Sequence, residues 1–202
     1  VLNRAAAALL AVLALASCGS DAKPSRSADG RLPLGRSAVA ALSDDDLQEC
    51  VWSAIDERVL DDSLDRERQN LETLPAVLQD FWRILEVDYE IQNGGMNQLF
   101  FNTTTAWVDD ALPAYRRAGL AEHAALLREA IRIADRPEER ALREAAQQDG
   151  SDEAFSASYQ HTALNPLDDR YAALGEAGAG ANRLLRDHLD EAIAPGPGRC
   201  PA

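Results

Sequence analysis

The sequence predicts an all-α protein: a compact multi-helix domain behind a signal peptide and a flexible tether. Three observations predict it. Apolar side chains recur at three- and four-residue spacing through most of residues 43–195, the period of a helix with one buried face. Helix-start residues such as Ser43, Ser151 and Asn165 precede these runs, and Asn93-Gly94-Gly95 and Asp149-Gly150 follow them. No run of alternating β-branched residues reads as a strand. The chain also has neither an internal repeat nor a heptad array.

Residues 1–17 read as an export signal. Arg4 precedes AAAALLAVLALA, an apolar run of 12 residues. As a helix this run spans about 18 Å, well short of the roughly 30 Å core of a bilayer, and matches a signal-peptide core. Leu15-Ala16-Ser17-Cys18 resembles the bacterial lipobox. That resemblance implies cleavage before Cys18 and lipidation of it, with acyl chains contributing about 0.8 kcal/mol per buried methylene. The rival readings are an ordinary signal peptide cut after a small residue and a buried N-terminal helix. Gly19 stands where an Asp would signal retention at the inner membrane. The expected location is therefore the cell envelope, facing the periplasm, with the outer membrane favoured. Residues 18–42, rich in Gly, Ser, Ala and Pro, read as the lipidated cysteine and a flexible tether.

The domain is expected over residues 43–195, with a tail over 196–202. Ser43 caps a first helix to about residue 60, and Asp44, Asp45 and Asp46 complement its dipole. A second starts near Thr73 and Pro75 and stops at Asn93-Gly94-Gly95, followed by a short segment, MNQLFF. A third covers 105–118, with Pro113 predicting a kink or a late start. A fourth covers 120–134. Asp135 and Glu138 read as a capping box, with Pro137 in the first turn of a fifth helix to about 148. Ser151 caps a sixth, Asn165-Pro166 opens another, and Gly175–Gly180 reads as a turn before a final helix over 181–193.

Charge limits the partners. Residues 43–202 hold 15 basic and 32 acidic side chains, a net −17. Direct binding to nucleic acid is not expected, because phosphate contacts need clustered Lys and Arg. A basic protein or peptide is the partner class this charge suits, and solubility is the plainer reading. With Cys18 acylated, Cys50 and Cys200 remain, an even pair that in an oxidising compartment suggests a disulfide. The alternative is a buried thiol at Cys50 and a stray one at Cys200.

Catalytic and metal motifs are not found. His123, His161 and His188 form no HExxH pattern and read as surface or helix-end residues. The Asp61, Ser63, Asp65 spacing lacks the glycine of a calcium loop. No G-x-S-x-G elbow occurs, and the doublets Asp61-Asp62, Asp109-Asp110 and Asp168-Asp169 point their members in different directions on a helix. No catalytic residue, metal or cofactor is expected.

The stretch EVDYEIQNGGMNQLFFN, residues 86–102, is the informative one. Gly94-Gly95 lets two helices meet closely. Asn93, Asn97, Gln98 and Asn102 are placed to satisfy backbone groups at the broken helix ends, while Phe100, Phe101 and Trp107 fill the core. This favours a structural corner over a polar pocket. The pattern Tyr89-Glu90-x-x-Asn93-Gly94-Gly95-x-x-Gln98-x-x-Phe101-Asn102 resembles the signature of the bacterial DNA-mimic protein family. The similarity continues through Leu112, Ala118-Gly119 and His123–Ile133, and extends to Phe155–Tyr171. The resemblance implies an all-α fold, a homodimer, and acidic side chains that imitate DNA phosphates.

The function expected is a non-enzymatic, membrane-anchored, acidic interaction module for a basic protein partner. One alternative is a cytoplasmic DNA mimic occupying a DNA-binding protein, if the chain is not exported. Another is a carboxylate-dependent enzyme with its site near the Asn93-Gly94-Gly95 break. A third is a structural envelope lipoprotein that binds nothing tightly.

Overall fold

Leu32, Leu34 and Val39 are buried although they sit in a stretch rich in Pro and Gly. They begin the folded body of the computed structural model, which describes residues 29–195 and residue 200. The expected signal peptide and Cys18 lie outside the described residues. The tether expected over 18–42 ends early: from residue 29 onward the chain packs, and α1 (Arg36–Ala40) falls inside it. Leu32 forms a parallel bridge with Ile193, with Leu32 N donating to Ala192 O at 2.9 Å and Ala194 N to Leu32 O at 2.8 Å. Burial of three apolar side chains outweighs the local turn composition.

The long helices follow the caps. Ser43 accepts from Asp46 N at 3.2 Å and opens α2 (Asp44–Val59). A helix not expected from sequence follows, α3 (Leu64–Leu71); it is polar apart from its two end leucines and docks through buried Leu71 and Glu67. α4 (Ala76–Asn102) crosses the core and buries Phe81, Trp82, Ile84, Met96, Leu99 and Phe100. It contains the break at Gly94 and Gly95, so the segment expected to lie beyond the second helix is itself helical.

α5 (Thr105–Arg117) is capped by Thr104, which accepts from Trp107 N at 3.1 Å. Pro113 lies inside this helix on an exposed face and does not delay its start. α6 (Ala121–Ala134) packs on α5 and on the start of α7 (Pro137–Asp149). The capping box expected from Asp135 and Glu138 does not form: Arg136 is the N-cap residue and its side chain makes no cap bond. Glu139, one position on, is buried and accepts from Thr162 Oγ1 and Ala163 N, both at 2.8 Å. Its carboxylate thus supports the chain where α8 (Asp152–His161) ends.

Ser151 caps α8, accepting from Ala154 N at 3.1 Å. α9 (Pro166–Ala172) starts after Asn165. The last helical stretch is two helices, α10 (Gly178–Asp187) and α11 (Leu189–Ala192), rather than one beginning at 181. α10 starts inside the expected glycine turn, where Gly178 and Gly180 lie against Gln48 and Leu120, leaving no room for side chains. Cys50 and Cys200 are joined by a disulfide, Cα atoms 5.1 Å apart, which holds residue 200 against α2. Among the described residues there are eleven helices, no strand, and no helix long and apolar enough to cross a membrane.

Candidate functional site

The centre of the molecule is organised around the break in α4. Gly94 has φ −164° and ψ 31°, and Gly95 has φ +68° and ψ −174°. The latter combination belongs to a region that only glycine occupies readily. Space points the same way. A Cβ on Gly95 would stand 2.5 Å from Asp168 Oδ2, and one on Gly94 would stand 2.6 Å from the Tyr159 hydroxyl.

A break in a helix leaves backbone donors and acceptors without partners. Here they are satisfied from a distance. Met96 N donates to Asp168 Oδ1 at 2.8 Å, so Asp168 acts as an N-cap for the second half of the helix. The Tyr159 hydroxyl donates to Gly94 O at 2.5 Å and so closes the first half. These roles were expected of Asn93, Asn97, Gln98 and Asn102, and the structure corrects that assignment. Gln98 Nε2 and Asn102 Nδ2 instead donate to Glu90 Oε2, at 3.0 and 2.8 Å. Asn97 Nδ2 donates to Ser158 Oγ at 2.8 Å, and Asn93 is exposed. The amides bridge the two halves of α4 through a buried carboxylate because that group, rather than the backbone, needs donors.

Of the signature residues, Glu90, Gly94, Gly95, Gln98 and Asn102 come together at the break. Phe101 is buried and meets Phe155 edge to face at 4.6 Å. Tyr89 is 45% exposed and meets Trp52 edge to face, ring centres 5.8 Å apart. Sequence reasoning missed Asp168, Tyr159 and Ser158 as partners of this motif. The available signal was the extension of the family resemblance over Phe155–Tyr171.

Beside the break lies an open cleft of about 680 Å³, lined by the acidic residues Asp88, Asp168, Asp169 and Glu176 and the small or apolar residues Ile91, Gly95 and Ala172, among others. Behind it runs a buried chain of hydrogen bonds. The Tyr171 hydroxyl donates to Asp88 Oδ1 at 2.8 Å and lies 3.1 Å from the Tyr115 hydroxyl. Gln92 Nε2 donates to Asp88 Oδ2 at 2.8 Å. Burial pushes the Asp88 carboxyl above the usual carboxylate range, against the hydrogen bond from Tyr171. Burial likewise raises Asp168, opposed by the bond from Met96 N. His123, expected at the surface or a helix end, lies in the first turn of α6 but is buried; its Nε2 lies 2.9 Å from Gly175 O and its ring meets that of Tyr171.

Chemically, this arrangement offers carboxylates and carbonyl oxygens. No group of three or more His, Cys, Asp or Glu suited to holding a metal ion occurs among the described residues. Glu90, the carboxylate of the signature beside the Asn93-Gly94-Gly95 break, is buried and engaged by two amides, which fits a positioning group better than a proton carrier. A family model, that of the DMP19-like proteins, matches residues 72–192. No curated protein and no solved structure matches the chain.

Proposed function

The chain belongs to the DMP19-like protein family, and from that membership we propose a non-enzymatic acidic interaction module whose partner is a basic protein or peptide. The observation that carries this reading is the charge of the segment packed around the helix break. Residues 144–182 contain seven Asp or Glu and a single base, Arg170. Arg170 is already engaged, its two terminal nitrogens donating to the Glu129 carboxylate at 2.8 Å each. A surface of one sign attracts partners of the other and speeds their encounter.

The lipid anchor at Cys18 belongs to this proposal. It would hold the acidic body at the cell envelope, so that the basic partner is an envelope or periplasmic one. Family membership favours a second reading, a DNA mimic that occupies a DNA-binding protein, for a chain that stays in the cytoplasm. Both use the same carboxylates and differ in compartment. Palmitate labelling with cell fractionation, comparing wild type with Cys18→Ser, separates them. Label in the envelope that the substitution abolishes supports the anchored module; an unlabelled cytoplasmic chain favours the mimic. The immobilised chain should capture a basic protein at low salt and release it at high salt, since screening weakens such contacts. A chain that retains nothing at low salt overturns the interaction reading.

A further inference from the structure

We propose that the cleft beside the helix break receives an arginine side chain from a basic peptide, with Tyr89 and Trp52 forming its aromatic rim. This inference rests on the acidic-module reading and gives it a place and a ligand class. The cleft, about 680 Å³, is far larger than one side chain requires and lies within the usual range of ligand pockets. The small and apolar part of its lining, Ile91, Gly95 and Ala172, suits the methylenes of a long cationic side chain. Asp168, Asp169 and Glu176 stand around it. Among the described residues no guanidinium pairs with these three; Arg170, their neighbour in sequence, turns to Glu129. The cleft thus has complementary charge for a cation and no cation of its own.

The aromatic pair supplies a separate observation. Among the described residues Tyr89 is one of two large hydrophobic residues left exposed, at 45%. It lies one helical turn before Gln92, which lines the cleft. Trp52 meets its ring at 74°. Trp52 in turn lies one turn after Gln48, which packs against Gly178, two residues beyond Glu176. In the proposed seating both rings stand outside the cleft's lining, at its edge beside Gln92 and Glu176. The faces of aromatic rings attract cations, and a planar guanidinium can stack on a ring while it bridges a carboxylate.

Titration of the full chain with a tetra-arginine amide peptide, followed by calorimetry, tests the assignment. Asp169→Asn with Glu176→Gln should weaken binding about tenfold, as expected when close charge pairs are lost. Both side chains are exposed, so folding is preserved, and Asp168 is left in place because it caps Met96. Removal of the same charge from the N-terminal end of α3 and the turn before it, by Asp62→Asn with Asp65→Asn, should weaken binding less than twofold at physiological salt. Tyr89→Leu keeps apolar bulk without the ring face and should cost about threefold. Equal losses from the cleft and α3 pairs overturn the cleft as the site and leave the acidic-surface reading standing. So does full affinity in both the cleft pair and Tyr89→Leu. No binding by the wild-type chain overturns that reading, and the cleft with it.

Discussion

At Gly95 two demands meet: a backbone conformation closed to other residues, and an Asp168 carboxylate where a Cβ would stand. Gly95→Ala should therefore destabilise the fold by about 3 kcal/mol, read as a lower urea midpoint. Gly150→Ala, with φ +70° and only one atom near its Cβ position, should cost about 1 kcal/mol. Asp88 gives a different signal. Burial raises its folded pKa above the 3.8 of a free carboxyl, so the native state holds that proton more tightly than the unfolded chain does. Its contribution is complete below about pH 3.8 and is lost as pH rises through the raised folded value. Asp168 acts in the same direction. Asp88→Asn should flatten its part of this acid-range slope in urea midpoints measured against pH, and an unchanged slope would refute the burial argument. At the alkaline end, burial pushes the Tyr159 hydroxyl up to about 12. Its bond to Gly94 O should hold until pH rises through that value.

The helices join through devices that act across long stretches of chain, the disulfide among them: Cys50 and Cys200 are 150 residues apart. Chain entropy for so large a loop gives a contribution of about 5 kcal/mol. Paired Cys50→Ser and Cys200→Ser substitutions should lower the thermal midpoint markedly, and reductant should do the same to wild type but not to the variant. The helices with strong caps were legible in the sequence: Ser43, Ser151 and the Gly94-Gly95 break each stand at the boundary they announce. α3 was not, because LDRERQNL carries almost no periodic signal and docks through tertiary burial of Leu71 and Glu67. α1 was hidden by the turn residues around it, though Leu32, Leu34 and Val39 outweigh them. At the candidate site the motif itself was legible. Its partners were not, since Tyr159 and Asp168 reach Gly94 and Met96 across 65 and 72 residues. No local pattern encodes such a separation.

For the whole molecule the dominant quantity is charge: 15 basic and 32 acidic side chains over residues 43–202. Several arginines are held in pairs, Arg117 with buried Asp80 and Arg186 with Asp44 among them, and they do not offset the excess. Self-repulsion of this kind weakens a folded body and is relieved by screening. Moderate sodium chloride should therefore raise the thermal midpoint by a few degrees, while the affinity for basic peptides falls over the same range. Opposite responses to one variable would distinguish repulsion within the molecule from attraction to a partner. The bridge between Leu32 and Ile193 has a mechanical consequence. Force applied at residue 29 enters the body beside the C-terminal helix, through two hydrogen bonds and the Arg58 contact to Gly30 O at 3.0 Å. Nearby, the covalent link from residue 200 fastens the other end to α2. Under a pull from the N-terminal side this clasp carries the load first. The break in α4 and its cleft stay slack, and their shape is insulated from tension on the chain that leads to them.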